Sequence, residues 1–187
     1  DKIIPLNDMK GYELLKATMF GFGYPNYGVA LLLKEEATGK IFLQRVKITG
    51  SNAKPRILEI FKDEVIGLPG IPTVSALPLN GPEYMFFAVD KNVYCLDLNN
   101  ITKPVTLYKS FDANVVAMNA ESETYSCAHM AVGLENGEFY ILMIYGAKNL
   151  SEEEKVIYPK HGAAYPAEER MGRIVDIKYK QLDHWNY

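Results

Sequence analysis

Met85-Phe86-Phe87-Ala88-Val89-Asp90 and Val93-Tyr94-Cys95-Leu96-Asp97-Leu98 are two short apolar runs separated only by Lys91-Asn92. Aromatic and β-branched residues favour the pleated, half-buried surface of a strand. Two such runs joined by a two-residue polar connection read as a tight β-hairpin.

The same design occurs on either side of it. Downstream, His129-Met130-Ala131-Val132-Gly133 and Phe139 to Ile144 flank Glu135-Asn136-Gly137, where glycine reaches positive φ at little cost. Upstream, Val29 to Leu33 and Lys40 to Val46 flank Ala37-Thr38-Gly39. Each hairpin has a candidate strand ahead of it, at 13–18, 73–77 and 114–118. Another follows each, at 56–61, 105–108 and 155–158. The unit is four strands, three times over, with Arg173 to Tyr179 resembling the first strand of a fourth.

Four antiparallel strands every ~40–50 residues is the period of β-propeller blades. A single four-stranded sheet cannot cover its own apolar faces, so neighbouring sheets stack and share a core. The expected fold is therefore all-β and propeller-like: three blades over about 12–62, 73–109 and 113–158, then one extra strand within 172–180. Residues 1–181 read as one domain and 182–187 as a tail. A β-sandwich is the competing architecture. Closed propellers hold ~4–8 blades, so three units imply a partial ring, completed by a missing remainder or by self-association. Helix is limited to one or two turns near 151–154 and a single turn near 166–172.

Composition narrows the class. With 48% apolar and 23% charged residues, the 187-residue chain has the balance of a globular domain rather than a disordered one. Twenty basic against 23 acidic side chains, net −3, give no general attraction for nucleic acid. No apolar run reaches the ~20 residues of a membrane-spanning helix. The chain opens on Asp1 without a signal-peptide pattern, which suggests a piece of a longer protein. Cys95 and Cys127 leave two readings open: two small buried apolar side chains, or a disulfide in an oxidising compartment.

The segments FFAVDKNVYCLDL (86–98), HMAVGLENGEFYILMI (129–144) and GRIVDIKYK (172–180) resemble the propeller-like C-terminal regions of the PKD-like lipoproteins of Bacteroidetes. The resemblance covers roughly residues 70–181, and its motifs are hairpin turns and strand apolars. It implies a secreted lipoprotein on the outer membrane or cell surface, or in the periplasm. Membrane attachment would come only through a lipid anchor outside this chain. It also implies an accessory role in nutrient uptake, with no catalytic residue to carry over.

No motif for chemistry stands out. A phosphate-cradling loop, a Gly-x-Ser-x-Gly elbow and a His-Glu-x-x-His pair are all lacking. Gly21-Phe22-Gly23 has no third glycine at dinucleotide-loop spacing. His129, His161 and His184 share no metal-ligand spacing, and no metal or other cofactor is implied. Adjacent acids such as Glu153-Glu154 do not converge on one substrate. Candidate binding residues lie instead on connections. His161, Tyr165 and Arg170 fall in the long segment 159–171, and Tyr24, Tyr27 and Tyr125 in shorter ones. Blade topology puts 34–39, 62–72, 90–92, 109–112, 134–137 and 159–171 at one end of the sheets, and the remaining connections at the other. Loops on a rigid scaffold are where binding residues gather, and exposed tyrosines there suit a protein or glycan partner. The resulting expectation is a non-catalytic binding or assembly module. A polysaccharide hydrolase or lyase completed by missing blades, and a structural spacer, are the alternatives.

Overall fold

Alternating short strands and tight turns give twelve strands in the computed structural model, which describes residues 9–20, 28–51, 54–78, 83–124, 127–145 and 162–165. They are β1 (Tyr12–Phe20), β2 (Gly28–Glu35), β3 (Ile41–Ser51), β4 (Lys54–Glu64), β5 (Val74–Ala76), β6 (Tyr84–Val89), β7 (Asn92–Asp97), β8 (Thr106–Ser110), β9 (Val115–Thr124), β10 (Cys127–Leu134), β11 (Phe139–Tyr145) and β12 (Gly162–Tyr165). Among the described residues there is no helix. The protein is all-β, with three four-stranded antiparallel sheets, β1 to β4, β5 to β8 and β9 to β12, each running in chain order.

Two departures from the sequence expectation concern strand placement. The connection in the deciding hairpin is Asp90-Lys91 rather than Lys91-Asn92, because Val89 pairs with Asn92. Asp90 takes φ = 52°, a left-handed conformation that a short polar side chain tolerates better than most. The fourth strand of the third sheet is Gly162–Tyr165, paired with Phe139 to Leu142, whereas it was expected at 155–158. That expected position, the strand at 173–179 and both helical turns lie outside the described residues.

The middle sheet shows why the apolar runs are continuous. All six residues of β6 are buried. Successive side chains of a strand point to opposite faces, and here both faces are covered. Met85 and Phe87 belong to a cluster with Leu32 and Leu43 of the first sheet. Phe86 and Ala88 belong to another, with Met130 and Leu142 of the third. Each such Phe, Met or Leu side chain contributes ~1.5–3 kcal/mol by leaving water, so the second sheet is the centre of a three-layer stack.

The first strands of the sheets are linked in turn. Lys16 Nζ on β1 donates to the Ser75 carbonyl on β5. Thr73 Oγ1, just before β5, donates to the Val115 carbonyl on β9 at 3.4 Å. Cys95 on β7 is a free, buried thiol. The disulfide reading is therefore excluded for it, and its place is that of a small apolar side chain.

Candidate functional site

Three connections meet at the end of the stack where the sequence placed a shared set of turns. The Phe111 and Val115 amides donate to the Lys91 and Asp90 carbonyls, both at 2.9 Å, so the β6–β7 turn holds the β8–β9 connection. The Glu135 amide donates to the Asn114 carbonyl at 2.8 Å, and Asn114 Nδ2 donates to Glu135 Oε2 at 3.0 Å. The β10–β11 turn is thereby tied to the same connection. Backbone bonds of this kind fix a loop at low entropic cost when a ligand arrives.

The segment joining the first and second sheets is held in the same way. The Val65 amide donates to the Ile41 carbonyl and the Thr73 amide to the Ala88 carbonyl, while the Ile66 carbonyl accepts from Val105. Gly67 has φ = 84° and lies over Pro104, whose Cβ would be 3.1 Å from a methyl added at that glycine. This segment and the β2–β3 turn line a half-open cleft of about 230 Å³. Ile41 and Val65 are buried among its lining residues. Lys40 and Glu64 stand at its side as an ion pair of 2.8 Å. The hydrogen bond to the Glu64 carboxylate and its charge hold the Lys40 ammonium above its ordinary pKa. Ile71 lines the cleft and is 49% exposed, and neighbouring Ile66 is 42% exposed.

Of the binding residues expected from sequence, Tyr165 alone is placed by the structure. It is the last residue of β12, its backbone paired with Phe139, and so belongs to a strand rather than a loop. Gly162-Ala163-Ala164 carries no alternating pattern that would reveal a strand, and pairing with β11 decides the outcome. His161, Arg170, Tyr24, Tyr27 and Tyr125 lie outside the described residues. His129 sits in β10 opposite Glu121 of β9. Among the described residues, no three His, Cys, Asp or Glu side chains gather as a metal site.

The cleft itself was not foreseen. Its one sequence signal is the density of glycine and proline in Gly67-Leu68-Pro69-Gly70-Ile71-Pro72, which marks a structured connection but not a concave one. Compared with known proteins, the chain matches no family model and no curated protein.

Proposed function

We propose that the chain is a non-catalytic binding or assembly module acting at the cell surface, built as three successive blades of a β-propeller. The observation that carries this reading is the middle sheet, buried on both faces between its neighbours in chain order. The linked first strands support it too, since propeller blades approach one another most closely at their innermost strands. Additional blades complete the ring in this reading. The resemblance to PKD-like lipoproteins supplies the location, with a lipid anchor elsewhere in the polypeptide. The partner is a protein or a glycan, recognised at the end of the stack where the turns are tied together.

The test is to measure binding and catalysis together on the full-length protein. Oligosaccharide arrays and cross-linking on intact cells should reveal a retained partner, while polysaccharide substrates remain uncut. Polysaccharide cleavage abolished by a single carboxylate substitution would replace this reading with the enzymatic one.

A further inference from the structure

Asn136-Gly137, in the turn between β10 and β11, has a chemistry that partner recognition does not use. We infer that it is a site of spontaneous, enzyme-free modification, where Asn136 converts to aspartate and isoaspartate. The isoaspartate form unties this turn from the β8–β9 connection. This chemistry goes beyond the binding-module reading and does not depend on it.

The residue after Asn136 is the first reason. Conversion begins when the amide nitrogen of the following residue reaches the asparagine Cγ, and a side chain on that residue obstructs the approach. Glycine has none, and its backbone is the least restricted. The other asparagines of the described segments precede Val93, Asn100, Ile101, Val115 and Ala120. A further Asn-Gly pair, Asn80-Gly81, lies outside the described residues.

The second reason is the geometry of the side-chain amide. The Glu138 backbone amide donates to Asn136 Oδ1 at 3.1 Å. That bond draws electron density from Cγ. It also faces the negative charge that develops on Oδ1 during attack, as a donor in an oxyanion hole does. Asn136 and Gly137 are partly exposed, so water reaches the turn. The Gly137 amide donates to the Leu134 carbonyl at 3.1 Å. This bond must open before attack, so the folded chain reacts more slowly than the unfolded one.

The reaction balances with water as the co-reactant. The Gly137 nitrogen gives up its proton and bonds to Asn136 Cγ. The Cγ–Nδ2 bond breaks, and Nδ2 takes up a proton and leaves as ammonia, giving a cyclic succinimide. Water opens the ring at Cγ to give aspartate, or at the backbone carbonyl carbon to give isoaspartate. Nothing is oxidised or reduced.

The third reason concerns what the turn holds. The Glu135 amide donates to the Asn114 carbonyl, and the Leu134 amide donates to the Glu138 carbonyl, both at 2.8 Å. Isoaspartate carries its Cβ in the main chain, so the connection is longer by that atom. The loop of a hairpin fixes its register, and these bonds are lost with it. Aspartate keeps the acceptor for Glu138 and leaves the backbone path unchanged.

The test incubates the folded chain, the urea-unfolded chain and an Asn136→Gln variant in neutral and mildly alkaline buffer. Mass-spectrometric peptide mapping locates the conversion, and labelling by an isoaspartyl methyltransferase reports the isoaspartate form. Hydrogen exchange reads the Leu134 and Glu135 amides. Isoaspartate should accumulate at position 136 of the folded chain, faster at the alkaline pH and faster again in urea. The Leu134 and Glu135 amides of the converted fraction should lose protection at least ~10-fold. Asn136→Gln, whose longer side chain closes a ring far more slowly, should keep it, as should the unconverted fraction of the same sample. Asn136 left intact in the folded chain after the unfolded chain has converted would overturn the site. Conversion confined to Asn80 would do the same. Isoaspartate at 136 with amide protection retained would overturn the untying of the turn.

Discussion

Gly67 and Tyr84 show how much of this structure is decided by single residues. At Gly67, φ = 84° and the nearby Pro104 both disfavour a side chain. Left-handed backbone alone costs an L-residue ~1–2 kcal/mol. Gly67→Ala should therefore lower stability by about that amount or more in urea unfolding, and a change below a few tenths would mean the connection relaxes freely.

Burial pushes the Tyr84 hydroxyl up to about 12 from its ordinary 10.0, with the Asp97 charge adding to the effect. Burial likewise raises the Cys95 thiol from 9.0 and the Tyr108 hydroxyl from 10.0. All three shifts are upward, so above pH 9 to 10 the unfolded chain surrenders these protons more readily than the folded one. By linkage, stability is intact below that range and falls as pH rises toward about 12. Urea midpoints measured across this window should decline steadily, and Tyr84→Phe should flatten the decline. The same burial predicts that Cys95 in the folded chain resists a thiol reagent and reacts on unfolding.

At the scale of elements, the hairpins were legible because their turns have chemistry of their own. Gly39 and Gly137 hold positive φ beside or within the turns where the sequence placed them. The β6–β7 turn was misread by one residue, since Asp90 does there what glycine does elsewhere. Asp90→Gly should be neutral or slightly stabilising, whereas Asp90→Val, β-branched and forced left-handed, should cost ~1–2 kcal/mol. Thermal unfolding of the two variants separates them. Irregularities were not legible at all. The register shifts between Leu14 and Lys16, between Arg45 and Val46 and between Val93 and Tyr94. Each extra residue reverses which side chains face which neighbour, and no local pattern announces it. The strand β12 was hidden for a related reason, because Gly162-Ala163-Ala164 acquires its conformation from pairing with β11.

At the scale of the whole molecule, the repeat was readable because each four-strand unit has the same burial problem and the same solution. The division of faces was not. Alternation sends Phe86 and Phe87 to opposite faces of β6, but the sequence alone does not say which neighbouring sheet covers which. In the structure they go opposite ways. Both are fully buried, so Phe86→Ala and Phe87→Ala should each cost ~3–5 kcal/mol. In a two-sheet sandwich one of them would face solvent and cost far less.

The cleft beside Lys40 and Glu64 was equally hidden, being a product of how two connections pass over the sheet ends. The most direct test of the stack is a methyl–methyl and methyl–aromatic nuclear Overhauser experiment on chain labelled at Met, Leu and Phe. A three-layer stack gives cross-peaks from Met85 and Phe87 to Leu32 and Leu43, and from Phe86 to Met130 and Leu142, with none from Met85 to Met130. Cross-peaks to a neighbouring sheet from only one of Met85 and Phe86, the other showing none, would contradict it.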